Sequence, residues 1–134
     1  MNQYDRFLNS LLAEFKIAAQ TEVYCLWADL EELEEASDER VRAEAYRQTC
    51  HRLGLLEHAA DAARATRVLA ACYTLEHILG STMYARAETR TELFVELRLA
   101  MTKLAEALYS IEVEDSSFEG VYQSTDADFA ESVR

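Results

Sequence analysis

Apolar residues recur every three or four positions along most of this chain, which is the spacing of one face of an α-helix. In the first segment, from Asn2 to about Glu35, the spacing holds without interruption. The apolar positions of this segment are Tyr4, Phe7, Leu8, Leu11, Leu12, Phe15, Ala19, Val23, Leu26, Leu30 and Leu33. Their steps come close to a heptad pattern, so we predict one long helix that packs along other helices.

Three more helices follow in the pattern, and we place their ends from capping residues and glycines. Ser37 is the predicted N-cap of the second helix, and Gly54 is its predicted C-terminal cap. Gly80 is predicted to end the third helix, and Ser81 or Thr82 to cap the fourth. The predicted spans are about 38–53, 55–79 and 82–111.

Four helices with three short connections predict an all-α, four-helix bundle-like single domain over residues 1–111. The whole chain of 134 residues is within the usual size of one domain. It has three glycines and no proline, so few residues break helices. Because these glycines stand far apart, a glycine-rich phosphate-binding loop is excluded.

Residues 112–134 have a different composition from the rest of the chain. They carry seven acids and one base, a net charge of −6, with scattered apolar residues among them. This composition predicts an acidic C-terminal tail that is either weakly structured or docked on the domain by its aromatic side chains.

The first predicted helix is much longer than the second. Thirty-four residues would span about 50 Å at 1.5 Å per residue, about twice the length of the second predicted helix. Part of the apolar stripe would then lie uncovered in a monomer. Either the helix breaks near Gln20 and Thr21, or a second copy of the chain covers the excess. Of these we favour the second copy, as a two-fold homodimer.

Charge narrows the classes of partner. The net charge of −12, from 25 acidic and 13 basic residues, argues against direct binding to nucleic acid or to an anionic membrane. A protein with a basic surface stays open as a partner. No apolar stretch is long enough to span a bilayer, and the N-terminal segment lacks a signal-peptide core. Cys25, Cys50 and Cys72 form no CxxC pair, so we expect free thiols and a cytoplasmic location.

The most enzyme-like string is the acidic run Glu31, Glu32, Leu33, Glu34, Glu35, which contains the spacing EExxE. Glu57 and Asp61 follow, one helical turn apart. These residues resemble the all-helical nucleoside triphosphate pyrophosphatases of the MazG type, although that family spaces its second pair as ExxD and this chain has ExxxD. The resemblance implies a Mg²⁺ held by carboxylates against a triphosphate.

Other catalytic patterns are weak in this chain. The three histidines, His51, His58 and His77, form none of the usual metal-binding pairs. Arg52 and His58 have the RxxxxxH spacing of helical HEPN ribonucleases, interrupted by Gly54. We therefore assign no catalytic residue, no metal ligand and no cofactor.

The class that fits best is a small acidic helical protein that acts by binding another protein, such as a regulator, antagonist, immunity protein or assembly chaperone. Two regions combine acidic charge with aromatic anchors: the end of the first helix and the tail. The candidate binding residues are Trp27, Asp29, Glu31, Glu32, Glu35, Phe118, Tyr122 and Phe129. One alternative is an acidic mimic of nucleic acid that inhibits a nucleic-acid-binding protein. The other is the pyrophosphatase, which requires the acidic residues of both helices to meet in one cleft.

Overall fold

The fold of residues 2–112, the part of the chain that the computed structural model describes, consists of four helices. They are α1 (Gln3–Glu35), α2 (Glu39–Ala62), α3 (Thr66–Tyr84) and α4 (Ala87–Tyr109). The connections between them are two or three residues long. The prediction of an all-α, four-helix bundle-like domain is confirmed. Within the described residues, no helix is both long enough and apolar enough to cross a membrane.

Each helix packs on the next one along the chain, and α4 returns to α1. Short connections make successive helices antiparallel. Two contacts between α1 and α4 show that this pair is antiparallel too. The Lys16 ammonium donates to the backbone carbonyl of Ile111 at 2.9 Å, while Arg98 pairs with Glu34 near the other end of α1. The contact between α1 and α4 is the least extensive of the four.

One continuous hydrophobic core runs between the helices, and every helix contributes to it. Leucines dominate its fully buried positions. From α1 the core takes Phe15, Ala19, Val23, Leu26, Leu30 and Leu33. These are the later members of the predicted apolar stripe, so the pattern identified the buried face of α1 from Phe15 onward.

Helix α1 has no break at Gln20 and Thr21. Its 33 residues span about 50 Å, whereas the 24 residues of α2 span about 36 Å. The C-terminal end of α1 is joined to the start of α2 by a short connection, and the two helices run antiparallel. The N-terminal part of the longer helix α1 therefore extends beyond the end of α2. Tyr4 and Phe7 in that part are 57% and 59% exposed.

The start of α2 is one residue later than predicted, and its end is nine residues later. Asp38 rather than Ser37 is the N-cap, and its carboxylate accepts the Val41 backbone N–H at 2.8 Å. The helix then runs through Gly54, so the predicted cap there was wrong. A glycine inside a helix costs about 1 kcal/mol, whereas burying a leucine contributes about 1.5–3 kcal/mol. Leu53 and Leu56 are both buried, and they outweigh the glycine.

The turn between α2 and α3 is formed by a residue that the sequence does not mark. Arg64 has a φ of 62°, in the left-handed region that glycine usually takes. The Ala65 N–H donates to the Ala60 carbonyl at 2.8 Å, and the Arg64 N–H donates to the Asp61 carbonyl at 3.1 Å. This is the hydrogen-bond pattern of a Schellman motif. The turn therefore lies ten residues beyond the predicted one.

Gly80 also lies inside a helix, contrary to prediction, because α3 continues to Tyr84. The predicted caps of α4 are in the last turns of α3. The Ser81 and Thr82 hydroxyls donate back to the carbonyls of His77 and Leu79, at 3.4 Å and 2.6 Å. Such hydroxyls satisfy the preceding turn instead of starting a new helix. Arg86 is the N-cap of α4 and makes no side-chain capping bond.

Candidate functional site

A cleft of about 320 Å³ lies between α1 and α4, at the C-terminal end of α1. Helix α1 contributes Trp27, Leu30, Glu31, Glu34 and Glu35 to it, and α4 contributes Phe94, Leu97 and Arg98. Trp27 is partly buried and packs against the hydrophobic core. Positions 27, 31 and 34 are separated by four and three residues, which places their side chains on one face of the helix. The spacing therefore brings an aromatic ring and two carboxylates to the same cleft.

The edge of this cleft is strongly acidic. Arg98 pairs with Glu34. Among the described residues no base pairs with Glu31 or Glu35, and the last turn of α1 contains no basic residue. The C-terminal carbonyls of a helix carry partial negative charge of their own, so the carboxylates and the helix dipole add. The result is a negative potential around a half-buried tryptophan.

Glu32 lies on a different flank of α1 from Glu31 and Glu35. It lines a second cavity of about 450 Å³ together with residues of α2, among them Arg40, Val41 and Gln48. The predicted acidic end is therefore split between two neighbouring surfaces of the bundle. Of the acids predicted to bind a partner, only Glu31 and Glu35 line the cleft with Trp27.

Asp29 does not lie on the exposed acidic surface where the sequence suggested it would be. It is 6% exposed, and its carboxylate accepts a hydrogen bond from Arg52 Nε at 2.7 Å. Arg52 Nη1 also lies 3.2 Å from Glu22 Oε1. The hydrogen bond to Asp29 raises the pKa of Arg52 further above its ordinary value. Asp29 thus joins α1 to α2. Because its side chain is buried, a protein partner that binds the surface would not contact it.

The ion pair with Asp29 also occupies the arginine of the RxxxxxH pattern that is typical of HEPN ribonucleases. The Arg52 guanidinium is held by two carboxylates of α1. His58 is exposed and lies six residues further along α2. Six residues correspond to 600° of helical rotation, so the two side chains leave α2 in directions about 120° apart. The structure does not bring them together.

The acidic residues of the pyrophosphatase resemblance also lie apart. Glu31 and Glu35 are next to the start of α2, whereas Asp61 is 22 residues beyond that start. At 1.5 Å per residue this separates them by about 33 Å. Within residues 2–112, no group of three or more histidine, cysteine or acidic side chains is arranged to hold a metal ion. The cleft required for a magnesium-bound triphosphate is not formed by these residues.

A polar cluster between α2 and α3, formed by the partly buried Glu57 and the exposed Glu76, was not predicted from the sequence. The Glu57 side chain lies against that of Glu76, and its Oε2 is buried without a hydrogen-bond partner among the described residues. Burial, followed by the hydrogen bond and the charge of Glu76, raises the pKa of Glu57 from 4.5 to about 7. The signal that could have revealed it is spacing, since Glu57 follows the core residue Leu53 by four positions.

The thiols near this cluster are not activated nucleophiles. Burial, reinforced by the charges of Glu57 and Glu76, raises the pKa of Cys72 to about 12. Burial also raises the pKa of Cys50, which is hydrogen-bonded to Tyr46. A thiol with a raised pKa stays protonated at neutral pH and reacts slowly. These cysteines therefore serve packing.

The remaining candidate binding residues, Phe118, Tyr122 and Phe129, lie outside the described residues and stay predictions. Comparison of the chain with protein-family models, with curated proteins and with solved structures finds no match in any of the three.

Proposed function

We propose that this chain is a small acidic helical protein that acts by binding another protein, as a regulator, antagonist, immunity protein or assembly chaperone does. The observation that carries the proposal is the α1–α4 cleft, where Glu31 and Glu35 have no basic partner within residues 2–112 and lie beside the half-buried Trp27. Unpaired charges around an apolar depression are typical of a surface that another molecule completes.

The chemistry of the cleft defines the partner. A basic side chain of the partner would pair with Glu31 or Glu35, and an adjacent apolar side chain would enter beside Trp27 and Phe94. Opposite charge accelerates encounter, and the buried apolar contact slows dissociation. Binding is therefore expected to weaken as the ionic strength rises.

Charge reversal tests this proposal. The full-length Glu31→Lys/Glu35→Lys variant and an Asp61→Lys/Glu106→Lys control are each used to capture partners from a lysate. The two variants change the net charge equally, and the control residues are exposed and far from the cleft. The proposal predicts that the first variant loses the partner and that the control keeps it. With the captured partner purified, the first variant is expected to bind at least about tenfold more weakly.

Two outcomes would count against the cleft. Equal losses in both variants would mean that only total charge matters, and equal retention would place the binding surface elsewhere. If the captured protein binds nucleic acid and duplex DNA releases it, the nucleic-acid mimic becomes the better description. The tail, with Phe118, Tyr122 and Phe129, belongs to the proposal on composition alone, and a version that ends at Ile111 tests it.

The cytoplasmic location and the homodimer are also proposals. The location is supported by the free state of the described cysteines. The homodimer is one explanation for the exposed Tyr4 and Phe7 on the N-terminal part of α1. Light scattering coupled to gel filtration distinguishes a dimer from a monomer directly.

A further inference from the structure

The first ten residues of α1 form a projecting apolar surface, here called the α1 overhang (residues 3–12). Tyr4 and Phe7 are exposed, and Leu8, Leu11 and Leu12 are only partly covered. Leu8 and Leu12 precede Phe15 and Ala19 by seven residues, or two helical turns, so they continue the same face. That face is buried in the core from Phe15 onward. The core-facing side of α1 thus extends past the end of α2, and within residues 2–112 the other helices leave Tyr4 and Phe7 exposed there.

A cavity of about 170 Å³ adjoins this overhang at the end of the bundle. Leu12 lines it from α1, and the α2–α3 turn and the end of α4 complete its walls. Arg64 and Arg67 are among the lining residues, and no carboxylate within residues 2–112 pairs with either. Arg67 donates a hydrogen bond to Ser110 Oγ at 3.0 Å. Among the described residues that line the cavity, the one carboxylate is that of Glu112, at the end of the described part of the chain.

The chain leaves α4 at this same place. Lys16 holds the end of α4 against α1 through its bonds to the carbonyls of Ile111, at 2.9 Å, and Tyr109, at 3.4 Å. The sequence then continues for 22 residues, 113–134, which contain six acids, one base and the apolar residues Phe118, Val121, Tyr122 and Phe129. The overhang is about 15 Å long, a distance that five extended residues cover.

We propose that residues 113–134 bind in cis to this surface. Their aromatic side chains pack on the apolar face of the α1 overhang, and their carboxylates pair with Arg64 and Arg67. The proposal does not depend on the α1–α4 cleft, which lies at the opposite end of the bundle.

Two physical arguments favour this segment over a second copy of the chain. A tethered segment acts at an effective concentration in the millimolar range, without a second molecule. Two copies with a net charge of −12 each repel one another, whereas the acidic segment is attracted to Arg64 and Arg67, which pair with no carboxylate within residues 2–112.

Hydrogen–deuterium exchange of the full-length protein tests the proposal at residue level. The informative amides are those of residues 7–12, because the first N–H groups of a helix have no intrahelical acceptor. The variants are Phe118→Ala/Tyr122→Ala and Arg64→Glu/Arg67→Glu. The matched controls are Ser116→Ala/Ser124→Ala and Arg64→Lys/Arg67→Lys. Exchange in the middle of α2 and α3 reports whether each variant keeps the bundle.

In the wild type the overhang amides are expected to be protected equally at all protein concentrations. Each of the first two variants is expected to accelerate their exchange about tenfold or more, while both controls behave as the wild type. Rapid exchange in the wild type that no variant changes would overturn the proposal. Protection that increases with protein concentration and ignores the tail substitutions would also overturn it, and would assign the surface to a second copy.

Discussion

Replacing Glu57 by glutamine is expected to stabilise the protein at and above neutral pH. Glu57 lies in the α2–α3 contact, where its Oε2 is buried and Glu76 is its neighbour. Above pH 7 Glu57 loses its proton, and the folded state then holds its negative charge in a partly dry site beside Glu76. A glutamine keeps the shape of the protonated side chain and donates an N–H to Glu76.

The magnitude follows from the pKa of Glu57, which rises from 4.5 to about 7 on folding. Each pKa unit corresponds to about 1.4 kcal/mol, so the upper limit is about 3 kcal/mol. Part of Glu57 remains in contact with water, and screening reduces the expected gain to about 1–2 kcal/mol. For a domain of this size that raises the Tm by about 4–8 °C.

The sign of the pH dependence is also defined. Between pH 4.5 and about pH 7 the native state keeps a proton on Glu57 that the unfolded state has released. Stability therefore falls as the pH rises through this window, and this contribution is constant above it. The Glu57→Gln variant lacks this decline, so its advantage over the wild type grows from pH 4.5 to about pH 7.

Urea unfolding followed by circular dichroism at several pH values from 4.5 to 8.5 measures this difference. Glu96→Gln is the matched control, since Glu96 is exposed and its replacement changes the net charge equally. The control removes the general effect of lowering the negative charge of an acidic protein. If Glu57→Gln and Glu96→Gln give equal gains at every pH, or if the gain of Glu57→Gln is largest near pH 4.5, a destabilising effect of the partly buried Glu57 charge is refuted.

Three further substitution or labelling experiments test the packing. Arg52→Met is expected to lower the free energy of unfolding by about 3 kcal/mol, because it leaves Asp29 buried without its partner. Adding Asp29→Leu to the same chain is expected to recover most of this loss in a double-mutant cycle. Gly54→Ala and Gly80→Ala are each expected to raise the free energy of unfolding by about 0.5–1 kcal/mol, because alanine favours a helix and a Cβ at either position meets nothing within 4 Å. A loss of stability in thermal unfolding would contradict the helical placement of these glycines. Cys72 has a pKa of about 12 and no exposed surface, so a thiol reagent at pH 8 is expected to label it only after unfolding.

The candidate binding site was only partly visible in the sequence. Trp27, Glu31 and Glu35 were predicted as binding residues at the acidic end of the first helix, and the structure places all three at one cleft. The sequence offered no means of distinguishing Asp29, which is buried, from its exposed neighbours. The burial of Asp29 depends on the position of its ion-pair partner, Arg52 of α2. Phe94 and Arg98, which complete the cleft, come from a helix more than sixty residues away in sequence.

The boundaries of α2 and α3 also depended on tertiary packing and not on local sequence preference. Gly54 and Gly80 carry the local preference for a helix end, yet both lie within helices. The local preference is worth about 1 kcal/mol, and tertiary packing of the flanking leucines exceeds it. The turn at Arg64 has no local sequence signal, because arginine does not favour the left-handed conformation that it adopts there. The packing of the surrounding helices requires the chain to reverse at this point.

The sequence by itself determined the helical class, the number of helices, the length of α1 and its buried face, because these follow from a hydrophobic period that every turn of a helix repeats. Only the tertiary structure decided where α2 and α3 end, which acids are buried and which are free, and which residues of α4 meet Trp27. Those properties depend on contacts between residues distant in sequence, whose energies of a few kcal/mol override the preferences of any single position.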